Sequence, residues 1–296
     1  MNSTPREVSL VDTTSRSRRS RDLVFLALLW SSLLLALLTL ATLVLTTLLN
    51  SLSSLKPSFV TAFPSPFPED SGIQSALVGS IWVTVTSGFV SLVIALGTAI
   101  YLEEFTNPRS RIQRLISLNI QTLAGVPSIV YGILGLAFVV RSPLNWGFTV
   151  GSAAATLTMM VLPLMIVATR EALKAVPPSL REGSYALGAT RWQTVYRQVL
   201  PAAVPGIATG SILGVSRALG ESAPLILLGA LAYVSYNPTG FDSDFTVLPL
   251  LIFKWSTEVR VEFRALAAAG IIVLLLVLFA LNLLAIVIRD RSRIKW

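Results

Sequence analysis

Six stretches of this chain are apolar for long enough to cross a lipid bilayer, and this constrains the fold more than any single residue. They run approximately over 23–49, 74–102, 115–140, 150–168, 204–234 and 264–288. A helix needs about 20 predominantly apolar residues to traverse a hydrocarbon layer of about 30 Å. Backbone N–H and C=O groups in lipid find no water, so runs of this length read as helices, which satisfy those groups internally. The composition agrees, with 53% hydrophobic residues, 13% charged residues and a mean hydropathy of +0.73. The expected fold is therefore all-α, a polytopic membrane protein of six transmembrane helices. The first run follows a basic segment but is too long for a signal peptide, and no small-x-small cleavage site follows it, so it is expected to be retained.

The same composition removes most chemistries. There is no cysteine and no histidine among 296 residues, so thiolate and imidazole metal ligands and the commonest general base are missing. No metal site and no catalytic residue is expected. No phosphate-cradling G-x-x-x-x-G-K-[ST] segment occurs, so the chain does not hydrolyse ATP by the P-loop route. The net charge of +8 does not mark a nucleic-acid binder, because the basic residues sit between apolar blocks rather than on one continuous face.

Lys and Arg favour cytoplasmic loops. With the N-terminus inside, seventeen of them fall in cytoplasmic segments and five in outer ones, which places both termini in the cytoplasm. The domains that follow are a cytoplasmic N-terminal segment (1–22), a transmembrane unit (23–288) with a long cytoplasmic loop at about 169–203, and a cytoplasmic tail (289–296). The outer loops, "KPSFVTAFPSPFPEDSG" and "NPTGFDSDF", are expected to be irregular.

The long loop shows helical spacing in Leu180, Ser184 and Leu187 and again in Trp192, Val195 and Val199, with Gly188 between the two sets. This predicts two short helices meeting at a turn. On periodicity alone the pair could lie on lipid headgroups as an interfacial hairpin. The spacing adds a second reading. "EGSYALG", nine further residues, then "QVLP" resembles the EAA loop of binding-protein-dependent ABC permeases, with Glu182, Gly188, Leu200 and Pro201 in register. Gly183, Ser184 and Gln198 depart from that pattern. Together with "AGVPSIVYGILGLAF" and "RALGESAPL", the chain from about the second run onward resembles PstA-type permeases of high-affinity phosphate importers.

That resemblance implies a type I ABC importer permease fold in a bacterial inner membrane. It implies half of a phosphate path, completed by a PstC-type sister permease. An ATP-binding subunit dimer would supply ATP and Mg chemistry, and a periplasmic phosphate-binding protein would deliver the ion. No cofactor belongs to this chain itself. Glu182, Gly188, Ala189, Leu200 and Pro201 are implied in coupling to the ATPase. Where the family carries an Arg in the fourth run this chain has Val167, and Arg170, one turn on, is a candidate substitute.

Arg217 and Glu221 stand inside the fifth run. Read as one continuous helix, they share a face with Gly206, Gly210 and Pro224, as though looking along a glycine-floored groove. They could be a structural ion pair, since a lone charge in lipid is costly. They could also meet an anion in passage, with Ser128 and Tyr131 offering hydroxyls nearby. Pro127 and Pro224 each remove one helical hydrogen bond and weaken a turn. The four-residue repeat Ala202, Gly206, Gly210, Gly214, Ala218 and Ser222 reads as close helix packing. Sulfate or molybdate permeases, a non-transporting receptor or scaffold, and an ATPase-independent carrier are the alternative functions.

Overall fold

The computed structural model describes residues 16–107, 110–229 and 233–291. Much of the expected N-terminal segment and C-terminal tail lies outside the described residues. Among the described residues the regular elements are helices: α1 (Arg16–Ser51), α2 (Pro57–Thr61), α3 (Gln74–Ile100), α4 (Arg111–Ala124), α5 (Ser128–Leu134), α6 (Val150–Lys174), α7 (Pro178–Ala186), α8 (Arg191–Thr194), α9 (Leu200–Gly220), α10 (Ala223–Leu227), α11 (Leu248–Thr257) and α12 (Glu262–Arg291). The chain divides into two compact units, 1–49 and 50–296.

In the first unit, α1 carries apolar residues around its whole circumference. Its hydroxyls turn inward to their own backbone, with Thr39 and Thr42 each donating to the carbonyl four residues earlier at 2.8 Å. A polar side chain in lipid needs such a partner.

Five of the six sequence runs lie in helices long and apolar enough to span, α1 in the first unit and four in the second. Two runs differ from their expected form. The third is two limbs, Arg111–Ala124 and Ser128–Arg141, bent by 102°. Pro127 cannot donate to the Leu123 carbonyl and disfavours helical backbone just before it; α4 ends at Ala124 with Gly125 as its cap, and a new helix begins at Ser128. The fifth begins earlier and ends earlier than expected. Helix continues from Arg191 through a π turn at Val195–Val199 into α9 and stops at Gly220, rather than running over 204–234. Pro201 has no N–H for the Arg197 carbonyl, and the adjacent π turn absorbs that loss through the Leu200 N–H to Val195 carbonyl bond. Pro224 ends the helix by the same defect, and only the five-residue α10 follows.

The core of the second unit is the contact of α3 with α6 and of α6 with α9. Its facing surfaces are made of small side chains. On α3 these are Ser80, Thr84, Ser87, Gly88, Ser91, Ala95 and Ala99, all buried. On α9 the small repeat packs onto α6: a Cβ added at Gly206 would come 2.7 Å from the Ala172 Cβ, and one at Gly210 2.5 Å from the Ala168 Cβ. The close-packing reading of the repeat therefore holds. The glycine-floored groove does not exist, because α6 fills it.

At one end of this bundle, α11 and the segment 233–247 lie across α3 and α6. Ser80 Oγ accepts from the Leu248 N–H at 2.8 Å, and the Val150 N–H donates to the Ser243 carbonyl at 3.0 Å. Trp255 on α11 is wholly buried against Phe59 and Phe263. The segment expected as the first outer loop contains α2 and a short 3-10 turn, Pro68–Asp70, where only irregular chain was expected.

Gly210→Val is expected to lower the thermal midpoint of the purified protein, at a cost of about 1–3 kcal/mol for overpacking. Gly97→Ala on α3, where an added Cβ meets nothing within 4 Å, is expected to leave it unchanged or raise it. Equal midpoints for the two variants would show that the α6–α9 contact tolerates spreading.

Candidate functional site

The long loop forms the helical hairpin its spacing predicts. α7 closes through Gly188, whose φ of +80° is the left-handed conformation that lets its N–H reach the Tyr185 carbonyl at 2.9 Å and the Ala189 N–H reach Ser184 at 3.2 Å. Space is not the reason for glycine here, since an added Cβ would meet nothing within 4 Å. α8 then starts with a reciprocal cap: Thr190 Oγ1 accepts from the Gln193 N–H, and the Thr190 N–H donates to Gln193 Oε1. Ser184, one of the departures from the EAA pattern, uses its hydroxyl to tie the two helices, 2.8 Å from Thr194 Oγ1. Gln198, the other polar departure, is exposed and leaves no gap in the core, while Val195 and Val199 beside it are buried.

Glu182 is exposed and Ala189 half-buried on this hairpin. Leu200 and Pro201 begin α9, and Leu200 packs against the buried cluster that contains Leu173, Val176 and Val199. Leu187 does not join the inward face that the periodicity gave it. It follows the last turn of α7 and is 90% exposed, with Tyr185 and Trp192 also exposed. The hairpin thus offers an apolar outer surface around a fixed turn.

The second cluster forms where the two broken runs meet. α5 packs on α10 so closely that a Cβ on Gly132 would lie 2.7 Å from the Pro224 Cα. Tyr131 is buried, and its hydroxyl donates to the Leu123 carbonyl at 2.9 Å, an acceptor that Pro127 cannot serve and that also takes the Val126 N–H at 3.1 Å. Ser128 is the half-buried first residue of α5. Arg217, in the last turn of α9, lies within electrostatic range of Tyr131. The structure therefore brings Arg217, Glu221 and Tyr131 into one region and sets Ser128 one turn before Tyr131.

The Arg217–Glu221 pair is not built as one helical face. Glu221 lies beyond the end of α9 with extended backbone (φ −80°, ψ 125°), and Nε to Oε1 is 3.5 Å, an ion pair outside good hydrogen-bond length. Nor is the pair buried within the chain: the Arg217 side chain is 46% exposed and that of Glu221 19%.

Two carboxylates that the sequence reading passed over hold stronger pairs. A π turn, Tyr101–Phe105, extends α3 and carries Glu103 and Glu104. Neighbouring helical residues point about 100° apart, so the two reach different arginines. Arg170 Nε donates to Glu103 Oε1 at 2.6 Å and Nη1 to Ser117 Oγ at 2.9 Å. Arg181 Nη2 donates to Glu104 Oε1 at 2.7 Å. Arg170 is thus engaged by Glu103 and Ser117. The readable signal was "YLEEF", two acids closing an apolar run.

Residues 72–293 match the family model described as "Binding-protein-dependent transport system inner membrane component". The chain belongs to this family. Curated relatives include the Phosphate transport system permease protein PstA 1 of Mycobacterium tuberculosis, 33% identical over 218 residues that cover 74% of this chain and 70% of the relative. The Phosphate transport system permease protein PstA of Yersinia pestis is 31% identical over 245 residues, 79% of this chain and 78% of the relative. The Probable ABC transporter permease protein YqgI of Bacillus subtilis is 31% identical over 225 residues, 76% of each chain. Among solved structures, a chain of a bacterial alginate ABC transporter in complex with an alginate pentasaccharide-bound periplasmic protein superposes with a TM-score of 0.65 at 16% identity, covering 90% of this chain and 93% of that one. A chain of the inward-facing MetNI methionine ABC transporter gives 0.60 at 20% identity, covering 73% and 94%.

The binding-protein-dependent permease fold of this chain is therefore the type I ABC importer fold expected from the sequence, a multi-pass membrane architecture. Its subunits are non-catalytic. Both clusters described above lie inside the family segment, and α1 lies wholly before it.

The two kinds of arginine in this permease predict different responses to truncation. Arg181→Met strands the nearly buried Glu104 carboxylate and is expected to cost about 3–5 kcal/mol of stability. Arg217→Gln removes a long pair whose guanidinium is nearly half exposed and is expected to cost about 1 kcal/mol or less. Thermal or denaturant unfolding of the purified subunit in detergent measures both, and a larger loss for Arg217→Gln would reverse the assignment.

Proposed function

We propose that this chain is the PstA-type permease subunit of an ATP-driven inorganic phosphate importer in a bacterial plasma (inner) membrane, with both termini cytoplasmic. A PstC-type sister permease completes the path, a dimer of ATP-binding subunits docks on the α7–α8 hairpin and consumes ATP with Mg, and a periplasmic binding protein delivers phosphate. The observation that carries the reading is Arg217: a permanently charged guanidinium, nearly half exposed on this chain, beside the junction of two broken helices. The names of the relatives support phosphate as the ion.

In this reading Arg217 offers a planar fork to phosphate oxygens. Glu221, already 3.5 Å away, competes for the guanidinium as the ion leaves, which keeps the contact from becoming a trap. Tyr131 acts chiefly through the backbone, because its hydroxyl is given to Leu123. Ser128, one turn away, retains a hydroxyl for the ion.

Uptake by vesicles holding all four components is the test. Arg217→Gln is expected to assemble normally and to lower phosphate uptake roughly ten- to hundredfold, the worth of a charged hydrogen-bonded contact. Arg217→Lys is expected to recover part of it, because the ammonium lacks the fork. Near-normal flux through an assembled Arg217→Gln, Glu221→Met double variant would end the claim that these charges handle the ion.

A separate measurement addresses the hairpin. Gly188→Leu forces a side chain into a left-handed conformation at a cost of about 1–2 kcal/mol and re-aims α7. It is expected to insert in the membrane yet lose co-purification with the ATP-binding subunit or ATP-driven uptake. Wild-type behaviour in both would leave the hairpin as an interfacial element.

A further inference from the structure

We infer that Glu104 and Arg181 are positioning residues that join α7 to the membrane-crossing helices and carry its movement to α3 and α6. The inference rests on the reading that α7 is the helix on which the ATP-binding subunit docks. α7 is nine residues long and has no buried residue, so packing alone grips it weakly. Leu180 packs half-buried against the cluster that contains Leu173, Val176 and Val199, and Ser184 holds α8; the polar tie from α7 to the spanning helices is one guanidinium. Arg181 Nε lies 3.2 and 3.3 Å from the two Glu104 oxygens and Nη2 lies 2.7 Å from Oε1, a forked contact with α3. Nη1 donates to the Val176 carbonyl at 2.8 Å and Nη2 to the Leu173 carbonyl at 3.0 Å. Leu173 is in the last turn of α6 and Val176 lies two residues beyond its end, where the helix dipole is negative.

One side chain of α7 is therefore fastened to two spanning helices at once. The Glu104 side chain is only 5% exposed, so its charge has little water to fall back on. The neighbouring Glu103–Arg170 pair locks α3 to α6 just beside it. Both helices pack on α9, whose far end carries Arg217. A displacement of α7 thus meets a rigid pair of helices rather than a flexible tether.

The test uses the complete transporter in vesicles. The chain contains no cysteine, so Leu187→Cys, at a 90% exposed position, gives a single thiol for a maleimide–succinimide cross-linker to the ATP-binding subunit. In that background Glu104→Gln is expected to keep complex yield and cross-linking at parental levels while phosphate moved per ATP hydrolysed falls roughly tenfold or more. The double variant Glu104→Gln, Arg181→Gln, which leaves no stranded carboxylate, is expected to do the same and to be no worse than Glu104→Gln alone, because the two act as a unit. Arg181→Lys, which keeps the charge but cannot make the fork and both carbonyl bonds, should fall between; it also carries the test if Glu104→Gln does not assemble. An unchanged ratio of phosphate to ATP in assembled Glu104→Gln or Arg181→Lys overturns the inference while docking stands. Absence of cross-linking in the Leu187→Cys parent overturns the docking reading itself, and the inference with it.

Discussion

The close approach of α3, α6 and α9 sets the position of everything else in the second unit. In lipid there is no hydrophobic gain from bringing apolar helices together, so association depends on dispersion contacts at short range and on shared polar groups. Glycine, alanine and serine at the facing positions allow that range. Met165 reaching over Gly214 and Val215 reaching over Gly88 show how neighbouring side chains use the room. With the three axes held this tightly, their ends are fixed in register. One end brings Glu103 and Glu104 against Arg170 and Arg181, and the other lets α11 seat Trp255 and the segment 233–247 across the bundle.

The same lipid constraint explains how two broken helices persist. A proline in a span leaves a carbonyl without its donor, and an orphaned acceptor away from water is expensive. For Pro127 the protein supplies two donors to the Leu123 carbonyl in its place, the Val126 N–H and the Tyr131 hydroxyl. The glycine next to Tyr131 then lets α5 settle against Pro224. The two breaks stabilise each other by sharing a contact, and their shared location is also where Arg217 emerges from the last turn of α9.

The sequence made some of this legible and hid the rest for physical reasons. Run length and hydropathy located all six apolar regions, because those properties are local and lipid enforces them strictly. The Gly188 turn and the four-residue small repeat were readable from spacing, again a local property. The 102° bend was not, since a proline specifies a missing bond and tertiary contact decides how far the chain turns. The end of the fifth run at Gly220 was misplaced because apolar composition continues past a conformational break. α11 escaped notice as a ten-residue helix too short to span. The arginine pairs were hidden for a different reason: Arg170 and Arg181 find their partners 67 and 77 residues away, on a helix whose neighbour relations no local pattern records.

That last point changes how the charges in this chain are sorted. Burial in an apolar sequence segment first singled out Arg217, yet Arg170 is the more buried side chain, and Arg181 makes more bonds. The better criterion is remaining capacity. A guanidinium has five N–H donors in a fixed fork. Arg181 commits its fork to a carboxylate and two helix-terminal carbonyls, and Arg170 divides its donors between Glu103 and Ser117, so neither can turn toward an ion without dismantling the contacts that hold the helices. Arg217 faces one carboxylate at a distance too long for a good hydrogen bond. Its donors can exchange that partner for another anion with little structural loss. In a protein that must bind and then release, the arginine with the least to lose is the one suited to the path, and the heavily bonded ones are suited to holding the helices that the path runs between.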